Sequence, residues 1–314
     1  MVTTLTKEPL KFVKMHVHGN DFMIVDTRFD NCITLKPEYV TQLSDRHKGI
    51  GFDQLLIIKE SNNASVLMEI YNADGSSAVN CGNGACCVAW LCMNRMYQTV
   101  KKFVGNNLEA QTKSSIRRTT RIPIQHFEWC PDAHRNDEPT NFSRFGTQQH
   151  VTIQISDRIL HAQRISDDII SVDLGKPEFD TELTKRLQRE MPATFVSIGN
   201  PHIVIESNDS CQAILQRVNK FFPDGVNIEW LRIIDNTHIS IRIFERGVGF
   251  TRACGTGACA AAAVAVSKGY CGQSVNVSME EGDVYIHFDK SIVLHEHVTF
   301  VFEGKIDYIP TCVV

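Results

Sequence analysis

One hexapeptide occurs twice in this chain. Residues 81–86 read Cys-Gly-Asn-Gly-Ala-Cys and residues 254–259 read Cys-Gly-Thr-Gly-Ala-Cys, 173 positions apart. Each opens an apolar, helix-forming run, Cys86 to Trp90 and onward in the first and Ala260 to Val266 in the second. A cysteine followed by two glycines at the entrance to a buried helix is an unusual thing to find once. Found twice, it points to two halves that each bring one thiol to a shared place.

The duplication extends beyond the hexapeptide. Asn72 precedes Cys81 by nine residues, as Glu245 precedes Cys254, and at the same offset Gln54 falls on Asn227. Gly19-Asn20 and Gly199-Asn200 correspond at a slightly different offset. Features in one order across two segments indicate an internal duplication. At 314 residues the chain is most simply two domains, given about 100–200 residues per domain. The expectation is a two-lobed α+β molecule with a pseudo-twofold relation.

Local patterns fit that expectation. His238-Ile239-Ser240-Ile241-Arg242-Ile243-Phe244 and Val151-Thr152-Ile153-Gln154-Ile155 alternate in polarity and read as half-buried strands. Further strands are expected at 55–58, 66–71, 195–205 (interrupted at Gly199-Asn200-Pro201-His202), 274–279, 284–288 and 298–303. Helices are expected at 38–47, 84–97, 209–218 and 257–268, the last rich in alanine so that strands can approach it closely. Residues 101–150 are polar and basic in places; there the reading gives one or two strands, around 121–127 and before it, and a loop near 131–147.

Several function classes are excluded. A net charge of −4 and a pI near 6.3 give no electrostatic footprint for nucleic acid. No apolar run reaches the roughly 18 residues that suggest a membrane span, and Met1 to Leu10 lacks the apolar core of a secretory signal, reading instead as a short disordered lead-in. Eleven cysteines without an export signal point to a reducing, cytoplasmic compartment with free thiols. Cys81, Cys86, Cys87 and Cys92 crowd one segment, but their spacing does not match paired zinc ligands, so no metal is expected. No motif for pyridoxal phosphate, a Walker A loop or a dinucleotide fold is present, so no cofactor is demanded.

Cys81 and Cys254 each sit just before a helix, where free backbone N–H groups and the helix dipole favour an anion. That setting lowers a thiol pKa from about 8.5, and two thiols in one cleft should titrate as a coupled pair, one thiolate and one thiol near neutral pH. An acid and a base on opposite faces of one carbon can invert it. The glycines after each cysteine leave room for a substrate carboxylate at the same N–H groups, which would stabilise a developing enolate-like charge.

The same residues resemble the diaminopimelate epimerase family over nearly the whole chain, from Met15 to about Gly304. The matching motifs are His18-Gly19-Asn20-Asp21-Phe22, Gly51-Phe52-Asp53-Gln54, Asn72-Ala73-Asp74-Gly75, Cys81-Gly82-Asn83-Gly84, Gly199-Asn200-Pro201-His202, Val226-Asn227, Glu245-Arg246-Gly247 and Ala253-Cys254-Gly255-Thr256-Gly257. The resemblance implies that Cys81 and Cys254 are the acid/base pair, with His202 and Glu245 near the thiols supporting proton transfer. It implies substrate binding by Asn20, Gln54, Asn72, Gly82, Asn83, Asn200, Asn227, Glu245, Arg246, Gly255 and Thr256. It further implies cofactor-independent interconversion of LL- and meso-diaminopimelate, in lysine and peptidoglycan-precursor synthesis, and a homodimer.

The fold expected is α+β, with two pseudo-symmetric lobes, each a mainly antiparallel sheet wrapped around a central buried helix, and the active-site cleft between them. Residues 11–148 would form the lobe carrying Cys81, joined by a returning strand at about 299–312, and residues 149–298 the lobe carrying Cys254. The chain departs from the family pattern at Cys86, where arginine is usual, at Phe250, where glutamate is usual, and in a longer 103–150 segment that lacks the typical Thr-x-Gly stretch. Other readings of the same residues remain: a proline-type or other cofactor-independent racemase on this scaffold, or a thiol redox or amino-acid-binding protein.

Overall fold

The computed structural model describes residues 9–28, 36–105, 149–207 and 209–306. In chain order the first elements are β1 (Leu10–Val17), β2 (Asn20–Asp26), α1 (Pro37–Ser44), β3 (Gln54–Lys59), β4 (Val66–Asn72), β5 (Ser77–Ala78), α2 (Gly82–Gly105), β6 (His150–Ile155), β7 (Arg158–Arg164) and β8 (Ile169–Asp173). Then follow β9 (Glu178–Phe179), α3 (Thr181–Leu187), β10 (Ala193–Ser197), β11 (Pro201–Ile205), α4 (Cys211–Phe221), β12 (Asn227–Ile233), β13 (His238–Glu245) and β14 (Gly249–Thr251). The chain closes with α5 (Gly255–Ser267), β15 (Ser274–Met279), β16 (Gly282–Phe288), β17 (Ile292–His297) and β18 (Thr299–Ile306). Met1–Cys92 and His150–Val314 make one compact unit and Met93–Gln149 a second. The strands expected around 121–127 and the loop near 131–147 lie outside the described residues.

The fold is α+β, mainly antiparallel sheet, with two pseudo-symmetric halves. Hydrogen bonds run from β18 through β1, β2, β3, β4, β6 and β7 to β8, with β5 on β4. They continue from β17 through β16, β15, β13, β12, β11 and β10 to β9, with β14 on β13. The two series match step for step. The parallel pairs β2–β3 and β4–β6 recur as β11–β12 and β13–β15. The seam between halves is the antiparallel pair β8–β17, with Ser171 opposite His295, Val172 opposite Leu294 and Asp173 opposite Val293. The expected boundary at 148/149 follows chain order; by hydrogen bonding, β6–β8 extend the first half of the sheet from β4.

Each half winds its sheet around one helix. Ala258 to Val264 of α5 are buried all round, and α5 packs on β10–β13 and β15–β17. Only small side chains leave a helix thin enough for strands to surround it. In α2 the corresponding run, Ala85 to Ala89, is wholly buried. The alternation in β13 came out as read: Ile239, Ile241 and Ile243 face this inner side, while Arg242 is exposed. The outer face of β10–β12 is covered by α3 and α4 through Leu187, Ile214 and Val218. Strands β7, β8 and β17 had not been foreseen from sequence. In β7 only Leu160 and Ala162 are buried, between exposed neighbours that include the apolar Ile159, a pattern too sparse to signal a strand. No helix among the described residues is long and apolar enough to cross a membrane.

The closeness of sheet to helix gives a direct check. Ala261→Leu, at a position with no exposed surface, is expected to overpack the second half and destabilise it by about 1–3 kcal/mol. The readout is the urea midpoint, and an unchanged value would mean that the strands do not close on the helix.

Candidate active site

The two central helices begin in the same way. Cys254 is the N-cap of α5 in extended backbone, and its Sγ accepts from the Gly257 N–H at 3.4 Å. In α2 the Cys81 Sγ accepts from the Gly84 N–H at 3.2 Å. Each thiol thus takes the part that a serine or aspartate oxygen plays at ordinary N-caps. The Thr256 hydroxyl adds a second polar neighbour to the Cys254 sulfur, at 3.5 Å.

These two helix starts converge. A Cβ on Gly255 would lie 2.4 Å from Asn83 Oδ1, and one on Gly82 would lie 3.8 Å from the Thr256 methyl carbon. Any side chain at 255 would push the helix ends apart, which explains the first glycine of the second hexapeptide. Two positive helix ends aimed at one region make a ready anion site.

The expected polar residues cluster around this junction. Asn83 Nδ2 donates to Asn20 Oδ1 at 3.3 Å, and Asn20 Nδ2 donates to Asp53 at 3.1 Å. Asp53 and Asp21 are bridged by Arg46, with bonds of 2.7 and 2.9 Å. Burial opposes ionisation of Asp21, but Arg46 and Lys14 outweigh it and hold the carboxyl at about 2. Gln54 donates to Asn72 at 3.0 Å. In the second half the Arg246 N–H donates to Asn227 Oδ1 at 3.0 Å, so the strand pair that aligns Gln54 with Asn72 recurs with Asn227 beside Glu245 and Arg246. Among the described residues the exposed Arg246 guanidinium has no carboxylate partner. Asn200 joins the first half, its Oδ1 accepting from Asn80 at 3.3 Å. Its neighbour Gly199 has φ +84° and packs against the Arg158 guanidinium with no space for a Cβ, so only glycine suits that turn.

Burial raises the Glu245 pKa, while the neighbouring Thr251 and Cys254 side chains pull it down. Both thiols are pushed up as well, Cys81 to about 12 and Cys254 well above the usual range, chiefly by burial. The N–H groups of Gly84 and Gly257 act in the opposite direction and lose. The expectation of one thiolate near neutral pH is therefore overturned for the protein's own groups: desolvation outweighs the helix ends.

His202 is wholly buried on β11, its Nδ1 2.8 Å from Glu229 Oε1, and its Nε2 has no hydrogen-bond partner among the described residues. No hydrogen bond joins it to either thiol. Glu229 escaped the sequence reading, as did the buried Glu296, which lies 2.9 Å from His18 Nε2. Glu296 shares its strand face with buried Ile292 and Leu294, whereas Glu229 has only half-buried Asn227 and Leu231 on its own face and is covered by its cross-strand partners Val204 and Ile243. Of the three departures, the 103–150 segment lies mostly outside the described residues, and Cys86 is buried in α2. Phe250 lies on the outer face of the sheet, against Trp230, Phe244 and Arg242. Among the described residues no cluster of histidine, cysteine or acidic side chains could hold a metal ion. A surface hollow of about 570 Å³ lined by Gln188–Pro192, Glu206 and Lys268 sits at the other end of α5, roughly 20 Å from Cys254 at 1.5 Å per residue.

Two-lobed proteins with one helix inside each sheet form a recognisable structural class. A predicted epimerase of Pseudomonas aeruginosa shares the fold, with a TM-score of 0.59 at 13% identity, over 95% of this chain and 99% of that one. So does a hydroxyproline epimerase from Agrobacterium vitis, solved with trans-4-hydroxy-L-proline, with a TM-score of 0.59 at 9% identity over 98% and 94% of the chains. The family model described as diaminopimelate epimerase matches residues 12–118 and 194–296. The diaminopimelate epimerase of Nitrosomonas europaea is 33% identical over 95% of this chain and 99% of its own length, and that of Xanthomonas axonopodis pv. citri 33% over 94% and 96%. The chain belongs to the diaminopimelate epimerase family, and every expected site residue falls within the matched segments.

The raised thiols can be tested by alkylation. Iodoacetamide labelling of Cys81, followed by peptide mass spectrometry, is expected to climb about tenfold per pH unit with no plateau below about pH 10. A plateau near pH 8 or 9 would mean an ordinary thiol.

Proposed function

We propose that this protein is an isomerase that epimerises LL-2,6-diaminopimelate to meso-diaminopimelate without a cofactor, in lysine and peptidoglycan-precursor biosynthesis. The observation that carries this reading is the convergence of two thiol-capped helix ends. One thiolate removes the α-proton from one face of the carbon, and the opposing thiol delivers its proton to the other face. The product leaves with the protonation of the two sulfurs exchanged, so the next turnover starts from the mirror state. The α-carboxylate would sit at the Gly82-Asn83 and Gly255-Thr256 N–H groups, where charge spreading from the carbanion is met by two helix dipoles. A substrate ammonium beside Glu245 supplies positive charge that favours ionisation of the thiols. At the far end of the substrate, Arg246 suits a carboxylate, and Asn20, Gln54, Asn72, Asn200 and Asn227 offer amide donors and acceptors. His202 and Glu245 support the proton transfer in this reading.

Two further points belong to the proposal. Exposed Phe300, Val301 and Phe302 on β18, which among the described residues pairs only with β1, support a homodimer, since apolar sheet edges seek partners. Free cysteines throughout the described residues support a cytoplasmic location.

Reduced protein is expected to convert LL-diaminopimelate to the meso form and to place solvent deuterium at the α-carbon, followed by chiral chromatography and mass spectrometry. Activity on proline but none on diaminopimelate would overturn the substrate. Cys81→Ala and Cys254→Ala should each reduce turnover by at least about a thousandfold, and near-normal turnover in either would end the two-base mechanism. Arg246→Met is expected to raise KM by about ten- to a hundredfold while the melting temperature holds; an unchanged KM would remove Arg246 from the substrate site.

A further inference from the structure

The pseudo-symmetry that places the two thiols fails at a buried histidine–glutamate pair. In the first half Phe22 on β2 lies opposite Gln54 on β3; in the second, His202 on β11 lies opposite Asn227 on β12. Two residues further along, Leu56 answers to Glu229. The packing agrees with the register. A Cβ on Gly84 would lie 3.0 Å from Leu56, and a Cβ on Gly257, its counterpart in α5, would lie 2.7 Å from the Glu229 carboxylate. Phe22, Leu56, His202 and Glu229 have almost no exposed surface. One half therefore fills this place with phenylalanine and leucine, and the other with histidine and glutamate.

Packing does not account for the difference. The first half demonstrates that an apolar pair fits, and a buried ionic pair is at best a weak stabiliser compared with apolar residues of similar volume. What the His–Glu pair adds is a proton. One proton lies in the Nδ1–Oε1 bond whichever partner owns it. Burial favours the form of the pair without net charge, and in that form Nε2 carries a hydrogen. Loss of that hydrogen leaves a lone pair at Nε2, and no protein group is bonded there to satisfy either state.

We propose that Glu229 is a positioning residue for the epimerisation assigned above, and rests on that reading: it locks the His202 ring and makes Nε2 the single site where the pair holds or gives up a proton. The dyad stands in the half of Cys254 alone, against the third residue of the helix that Cys254 caps. It adds to the differences between the surroundings of the two thiols, so that acid and base are distinguished before substrate arrives.

The experiment compares wild-type enzyme with Glu229→Leu, Glu229→Gln, His202→Ala and the His202→Ala/Glu229→Leu double variant, using LL-diaminopimelate. Glu229→Leu reproduces the residue of the other half but leaves His202 Nδ1 buried without its partner, so it is expected to lower the melting temperature and to lower kcat at least about tenfold, with KM within about twofold. Glu229→Gln, which preserves shape, should lose activity as well and carries the test if the leucine variant fails to fold. The double variant should be no slower than His202→Ala, because both changes remove one device. Wild-type kcat in Glu229→Leu or Glu229→Gln, or losses that multiply in the double variant, would overturn the proposal. Absence of epimerisation in the wild-type protein would instead overturn the substrate reading, so the two failures are distinguishable.

Discussion

The constraint on which the molecule depends is the meeting of two helix starts. A helix N-terminus exposes unpaired N–H groups and a partial positive charge, and placing two of them together inside a protein is unfavourable unless something negative or polar sits between. Here the N–H of the third residue in each helix is taken by a cysteine sulfur, and the remaining donors face the shared space. The glycines are the steric condition for this approach. The alanine-rich stretch of α5 and the small residues of α2 are the condition for sheets to wind closely around the helices and hold their ends in register.

Electrostatics then divides the work between the halves. Burial drives both thiols and Glu245 toward their protonated forms, while Asp21, equally part of the surrounding network, is kept ionised by Arg46 and Lys14. Burial thus favours the neutral forms of both thiols and Glu245, while the negative charge of Asp21 is balanced by Arg46 and Lys14. Family membership and this arrangement agree on the chemistry. The structural likenesses at 9–13% identity speak only for the scaffold, which hosts epimerases of differing substrates.

How much could be read in advance follows from residue type. The duplicated hexapeptides located both central helices, and the alternating isoleucines of β13 gave its inner face. Of the amide side chains named from the motifs, Asn83 is hydrogen-bonded to Asn20 and Gln54 to Asn72. Glu229 and Glu296 were missed because a carboxylate within a strand is ordinarily read as solvent-facing; parity with buried Ile292 and Leu294 marks Glu296, but the same-face neighbours of Glu229 are only half-buried. His202 was placed near the thiols, yet it is tied to Glu229 and makes no bond to sulfur. The thiol pKa values were misjudged because sequence shows the helix end but not the depth of burial, and depth is the larger effect.

The seam between the halves carries a consequence about origins. His161 pairs with Asp173 in the first half as Tyr285 pairs with His295 in the second, so Asp173 and His295 are equivalent positions, as are Ser171 and Val293. Across the seam Ser171 meets His295 and Val293 meets Asp173, a reciprocal exchange. That is the signature of an isologous contact, in which one surface patch binds its own copy. Two unlinked copies of a half-length chain could have formed this ladder as a dimer, each contributing one thiol. Fusion into a single polypeptide freed the copies to diverge, and a leucine in one could become the glutamate of the other without changing both sides of the site at once.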